Sequence, residues 1–320
     1  MRIEVVALAL FDLHCDTLYE CYRKGYSLTV NPLHTDLTRG RHYAPWCQVF
    51  AVWVPDSLRG NAAFSFCCKV LEFARAEEAA CSPRFLFARD GKTLKEEGHC
   101  RECVGILAVE NGAAIGGKIE NIGELAARGV RILTLTWNGE NEWGYGCSCD
   151  ARLGLKPFGK AALTALEEVG IIPDVSHLNE GGFWDVVAHT TQPFIATHSL
   201  SATVHPHPRN LNDRQFEEIV RRGGLVGLSL CGEHLGESSF DRVRRHAEQF
   251  LSRGGEKTVA LGGDLDGTVL PPEWQGIAVY EHLREYLSQK GWNDSLIEAV
   301  FFKNAANFLE STLHSPKLPV

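Results

Sequence analysis

Apolar residues recur along the chain in short unbroken runs, each followed by a loop and then by a stretch of helical period. The runs are Val5–Phe11, Cys47–Val54, Val104–Glu110, Arg131–Trp137, Ile171–Ser176, Phe194–His198, Leu225–Leu230 and Val259–Gly263. Most are continuous rather than alternating, which predicts strands buried on both faces of a parallel sheet. Helical patterns lie between them at Asn61–Ala80, Ile119–Arg128, Pro157–Val169, Asn179–Ala188, Asn212–Arg222 and Ser238–Ser252. Two more, Tyr280–Gln289 and Asp294–Glu310, close the chain. Asn179, Asn212-Asp213 and Asp294 are predicted helix caps, the last without a capping box. Gly129, Gly170, Gly223 and Gly224 follow helices, where a left-handed stop is wanted.

Eight strand-plus-helix units in about 300 residues predict an α/β fold, a closed (β/α)8 barrel of the TIM type. The whole chain, 1–320, then reads as one (β/α)8 domain. The rival, an open doubly wound sheet, would carry a glycine-rich phosphate loop after its first strand. Here that strand runs into Asp12-Leu13-His14-Cys15-Asp16, which holds no glycine.

Composition adds exclusions. With 44% hydrophobic and 22% charged residues, the chain is not disordered. A net charge of −8 and the lack of a basic stripe argue against a nucleic-acid partner. No apolar stretch reaches the length of a membrane span, and the N-terminal run lacks a secretory cleavage site. The expected location is cytoplasmic, with no membrane partner. Eleven cysteines could suggest staples, but a chain of this size buries a core without them. The CxxC of Cys100 and Cys103 precedes the third strand, at the barrel bottom. The CxC of Cys147 and Cys149 follows the fourth, at the top. They are thus separated by on the order of 20 Å of strand and cannot share a metal.

The strand ends carry the chemistry. His14 and Asp16 end the first strand, Glu110 the third, Asp174-Val175-Ser176-His177 the fifth, Thr197-His198-Ser199 the sixth, and Gly262-Gly263-Asp264-Leu265-Asp266-Gly267 the eighth. In a barrel these ends converge on one face. Singly, each has a structural reading: a core histidine, or an aspartate in a turn. Together they form a set of three imidazoles and three or four carboxylates. That set suits zinc, manganese, iron or nickel, and its size suits two ions about 3.5–4 Å apart. Glu110, lying between the other contributors, is the natural bridge.

At these residues the sequence resembles the membrane dipeptidase (renal dipeptidase) family of the amidohydrolase superfamily. The likeness rests on the segments just quoted, with Val109-Glu110-Asn111-Gly112, Leu133-Thr134-Leu135-Thr136 and Arg209-Asn210-Leu211-Asn212-Asp213, all in the family's order. It implies two zinc ions. His14 and Asp16 would bind one, His177 and His198 the other, and Glu110 both. A bridging hydroxide would attack the peptide carbonyl of a dipeptide, L,L or L,D. Asp264 would move the proton to the leaving amine, and Arg209 would grip the terminal carboxylate. The resemblance also admits a homodimer.

One departure stands out. The family's histidine after Leu-Thr-Leu-Thr is here Trp137, followed by Asn138-Gly139-Glu140-Asn141. Indole has one donor, no acceptor and no charge. Asn138 or Asn141 is the expected replacement contact with substrate, with His205 or His207 as the other candidates. The competing readings are an amidohydrolase acting on N-acyl amino acids, lactams or cyclic amides, and a non-catalytic relative. The retained Asp264 argues against the second.

Overall fold

A computed structural model of the protein describes residues 7–98 and 100–314. Its strands are β1 (Leu10–Cys15), β2 (Trp46–Trp53), β3 (Phe85–Phe87), β4 (Cys103–Glu110), β5 (Val130–Thr134), β6 (Ile172–Asp174), β7 (Val226–Leu228) and β8 (Val259–Leu261). All pairings between them are parallel, in the order β6-β5-β4-β2-β1-β8-β7. Two single-residue parallel bridges, Asp174 to Ile195 and Ala196 to Val226, join β6 to β7. Ile195 and Ala196 therefore take the sixth place in a closed ring of eight. β3 lies outside that count. It shares the edge of β4 with β5, pairing with Cys103 to Gly105 while β5 pairs with Leu107 to Glu110.

The main helices are α1 (Thr17–Lys24), α2 (Gly60–Cys81), α3 (Glu120–Ala127), α4 (Pro157–Val169), α5 (Glu180–His189), α6 (Asp213–Arg221), α7 (Phe240–Leu251) and α8 (Val279–Gln289). Asn179 and Asn212 cap α5 and α6, the second with a full capping box to Gln215. Among the described residues no helix is long and apolar enough to cross a membrane.

The departures from expectation have physical causes. Val5 and Val6 of the first predicted strand lie outside the described residues, and β1 continues past Phe11 to Cys15. An apolar pattern stops at Asp12, but Asp12 is buried with its carboxylate fully engaged. It accepts from the backbone N–H of His14 (3.2 Å) and Gly263 (2.9 Å) and from the Tyr280 hydroxyl (2.6 Å). Gly263 is required there, because a Cβ would lie 2.1 Å from that hydroxyl oxygen. The sixth strand shrinks to two bridges because a side chain replaces the ladder: the Thr197 N–H donates to Asp174 Oδ1 at 3.0 Å. β3 was missed because three residues give no period. The predicted last helix is capped by Asn293 rather than Asp294. It runs as Asp294–Glu298, a π-turn at Ala299–Lys303, and Asn304–Thr312.

That π-turn faces the barrel. Phe302 meets Phe11 at 6.0 Å between ring centroids. Ala305, Phe308 and Leu309 join Leu13, Val49, Ile106, Ile132, Ile195 and Ala260 in one apolar cluster that fills the barrel interior. The end at which the strands begin is thus plugged, and polar groups have room only where the strands end.

Replacing Tyr280 by Phe removes one donor from the buried Asp12 carboxylate. The expected loss is about 1–3 kcal/mol of folding stability, read from urea unfolding midpoints. A variant as stable as the parent would show that Asp12 does not depend on this bond.

Candidate metal centre

β1 pairs with β2 with a slip: Asp12 faces Gln48, yet Cys15 faces Phe50. Two residues, Leu13 and His14, therefore oppose one. Such a bulge re-aims a side chain at a strand end. It turns His14 toward the interior that Phe11 and Leu13 already occupy. Asp16 follows at the start of α1. Glu110 needs no such device, since it continues the inward parity of Val104, Ile106 and Ala108 on β4. His177 sits just past β6 with φ at 70°, a left-handed conformation that costs a β-carbon residue energy. Asp264 and Asp266, at φ of 58° and 70°, follow β8 in the same region. Backbone bonds from Asp264 N to His14 O (3.1 Å) and from Asp16 N to Leu265 O (2.8 Å) lash this loop to the end of β1. A Cβ on Gly267 would lie 2.2 Å from Asp16 Oδ2 and 2.3 Å from Asp264 Oδ1. The glycine lets the two carboxylates converge.

The result is a buried basket. His177 Nε2 lies 2.8 Å from Glu110 Oε1 and 2.9 Å from His198 Nε2. His14 Nε2 lies 3.5 Å from Glu110 Oε2 and 3.9 Å from Asp264 Oδ1. Three donor groups have atoms within 4.8 Å of one another: His14 with Asp16 and Glu110, Glu110 with His177 and His198, and His14 with His198 and Asp264. Glu110 belongs to two of them.

The hydrogen-bond network decides what such a basket can hold. His177 Nδ1 bonds to Asn138 Oδ1 at 2.8 Å. An amide oxygen accepts only, so Nδ1 carries the proton and Nε2 is a bare lone pair. His198 Nδ1 is 2.8 Å from the Thr197 hydroxyl, which donates to Asp174 Oδ2 at 2.7 Å and so accepts from the ring. The His198 Nε2 lone pair then faces that of His177, with a carboxylate oxygen beside them. Among the described residues the buried His14 Nε2 and Asp16 Oδ1 have no hydrogen-bond partner. Lone pairs converging on one dry point repel unless positive charge lies among them. Such a donor set fits divalent metal ions.

Where no ion shares the basket, a proton on His14 balances its carboxylates. Burial lowers His14, but Glu110, Asp16 and Asp264 outweigh it and lift its imidazole to about 10. Burial, aided by Arg209, lowers His177 to about 4 and His198 well below the usual histidine range. Burial would raise Glu110, but His14 and His177 hold it below the usual carboxylate range. Burial, with the charge on Glu110, pushes Asp16 well up and Asp264 to about 7.

A cleft of about 600 Å³ opens over the basket. Arg209 lines it, nine-tenths buried, with its Nε unpartnered and no carboxylate paired with it among the described residues. Trp137 lines it too, its ring 6.1 Å from that of His177 and 5.1 Å from that of Trp53. Of the expected replacement contacts, Asn138 lines the cleft but spends its oxygen on His177. Asn141 does not reach it. Its amide donates to Asn111 Oδ1 and Leu135 O, and its oxygen accepts from Trp143 N. His207 lines the cleft and His205 does not. Cys147 also lines it, bonded to Asn138 Oδ1 at 3.2 Å. Burial raises its thiol, Arg209 opposing, and every described cysteine is free. Cys103 opens β4 at the plugged end, so the two cysteine pairs are apart.

The strand-end segments include Asp174 without a role for it, and they leave out Tyr19 and Trp53. Asp174 also accepts from Thr134 Oγ1 at 2.6 Å and Ser176 N at 2.9 Å, and Thr197 couples it to the histidines. Its signal was present, since an aspartate three residues before a ligand-type histidine in a buried run needs partners. Tyr19 and Trp53 line the cleft without titrating near neutrality and gave no chemical signal.

The model of the membrane dipeptidase family, peptidase family M19, matches residues 4–314. The fold is similar to that of dipeptidase AC, a metallopeptidase of family M19. That likeness has 25% identity, a TM-score of 0.89, and coverage of 96% of this chain and 99% of the other. It is similar also to a metallopeptidase from Rhodobacter sphaeroides liganded with a phosphinate mimic of the dipeptide L-Ala-D-Ala. Here identity is 24% and the TM-score 0.89, covering 96% of this chain and all (100%) of that one. An uncharacterized protein in the pqqA 5′ region of Klebsiella pneumoniae is 30% identical over 219 residues, 64% of this chain and 81% of that one.

Thr197→Val keeps the shape of the side chain and removes the hydroxyl between Asp174 and His198. Divalent-cation affinity, measured by competition with a chelator, is expected to fall roughly 10–100-fold with the fold retained. Unchanged affinity would detach this network from the metal site.

Proposed function

The chain belongs to the membrane dipeptidase family, and from that premise we propose a dinuclear zinc dipeptidase whose whole length forms one catalytic unit. His14 and Asp16 would hold one ion, His177 and His198 the other, and Glu110 both. The observation that carries this reading is the pair of facing Nε2 lone pairs on His177 and His198, 2.9 Å apart beside Glu110 Oε1. The bound ions would supply a water acidified to near neutrality and polarise the peptide carbonyl.

The chain's own side chains do the rest. Arg209 is a buried guanidinium without a carboxylate partner among the described residues, and burying an unpaired charge is costly. A ligand carboxylate relieves that cost through a planar fork of donors, which assigns Arg209 to the C-terminal carboxylate of the substrate. Asp264 Oδ1, 3.9 Å from His14 Nε2 on the cleft floor, takes the proton of the attacking water. It returns it to the amide nitrogen as the C–N bond breaks, and two free amino acids leave. Asn138 is reassigned from substrate contact to holding the His177 ring, and Asn141 to holding the loop. Trp137 supplies bulk where the family's histidine would supply a polar contact. The substrate range is proposed to include L,D as well as L,L dipeptides. The likeness to the Rhodobacter sphaeroides metallopeptidase, with its L-Ala-D-Ala mimic, supports this.

Metal analysis of the purified protein and hydrolysis of a mixed L,L and L,D dipeptide panel test the proposal. Close to two zinc ions per chain and metal-dependent cleavage are expected. Cleavage of N-acyl amino acids or cyclic amides with no cleavage of dipeptides would transfer the site to the other amidohydrolase reading. Arg209→Met is expected to raise KM for dipeptides roughly 10–100-fold with a smaller effect on kcat. An unchanged KM would remove Arg209 from the substrate. Asp264→Asn is expected to lower kcat by about 10²–10⁴ at normal metal content; full activity would end its role as proton carrier.

A further inference from the structure

The cleft has two unlike sides, and the ring order says where each lies. Counting β1, β2, β4, β5, β6, the Ile195–Ala196 segment, β7 and β8, the second and sixth places face each other across the barrel. The sixth is followed by the loop that carries Arg209. The second ends in Trp53. A dipeptide with its carboxylate on Arg209 and its carbonyl over the basket therefore turns its N-terminal residue toward β2 and the next two places round the ring, β1 and β8.

That side presents open aromatic surface beside the carboxylates of Asp16, Glu20 and Asp266. Trp53 packs edge-to-face with Tyr19 of α1 at 5.3 Å and with Trp137 at 5.1 Å. All three rings line the cleft half-buried, each with part of its surface facing solvent. Val269, on the loop after β8, lines the same cleft and is 88% exposed. It is the most exposed large hydrophobic residue among those described. These four side chains come from three adjacent places in the ring and from the loop after β5. Aromatic surface left open beside a reacting centre is binding surface waiting for an apolar partner.

We propose that Trp53, Tyr19, Trp137 and Val269 form a subsite for the side chain of the substrate's N-terminal residue, selecting large apolar and aromatic residues there. This rests on the dipeptidase reading and on the carboxylate position at Arg209. The rings accept an aromatic side chain edge-to-face, continuing the packing they already make with one another. An acidic side chain would lose water without gaining a partner, beside the carboxylate of Glu20.

The test compares kcat/KM of the metal-loaded protein for Phe-Ala, Ala-Ala, Asp-Ala and Ala-Phe. Phe-Ala is expected to exceed Ala-Ala at least about 10-fold, with Asp-Ala below both. Trp53→Ala is expected to collapse the Phe-Ala to Ala-Ala ratio toward one, while the Ala-Phe to Ala-Ala ratio holds. Val269→Asp, a surface change with no core to disturb, is expected to lower the Phe-Ala ratio as well. Equal rates for Phe-Ala and Ala-Ala, or ratios untouched by both variants, would overturn the subsite alone. A shift in the Ala-Phe ratio instead would place the aromatic wall at the other end of the substrate and overturn it too. A metal-loaded protein that cleaves none of the four fails the dipeptidase reading and takes the subsite with it.

Discussion

Everything at the open end of this barrel is arranged around the Nε2 lone pairs of His177 and His198, which point at each other beside Glu110 with no proton between them. Protein interiors avoid such convergence because neither water nor a donor is available to separate the charges. Here it is enforced from outside. Asn138 and Thr197 take the Nδ1 protons of His177 and His198, and Asp174 holds Thr197 through two of its oxygen contacts. The tautomers are fixed before any ligand arrives, which is the arrangement that orients imidazoles for a metal.

That enforcement needs a rigid frame, and the frame is asymmetric. One end of the barrel is filled by Phe11, Ile106, Ile132 and the C-terminal helix. At the other end Asp174 reaches across strands to Thr134 and Thr197, and on the helix side of β1 Asp12 ties Gly263 to Tyr280. The apolar end drives collapse. The polar bonds fix register, since a slip of either carboxylate by one residue would strand it without donors.

The strand ends were legible in the sequence because parallel strands are buried on both faces, so a charged or imidazole side chain closing an apolar run is conspicuous. His14, Glu110, His177, His198 and Asp264 all stood out for that reason, and all meet in one basket. What the pattern did not carry was local geometry. The bulge that turns His14 inward leaves no trace in a string of apolar and polar letters. The sixth strand read longer than it is, because Asp174 takes over bonds that a ladder would have made. Asn141 looked like a free amide in a loop, whereas its bonds to Asn111 and Leu135 exist only once the loop has folded.

The aromatic wall illustrates the complementary blind spot. A reading that looks for titratable groups at strand ends passes over β2, whose last residue is Trp53. Yet a catalytic basket of this kind is indifferent to which amide it receives, because its contacts are to atoms every peptide bond has. Discrimination must come from surface that touches what differs between substrates, and in this cleft that surface is Trp53, Trp137, Tyr19 and Val269. Replacing the family's histidine by Trp137 fits the same logic. An indole there extends the apolar wall that Trp53 begins.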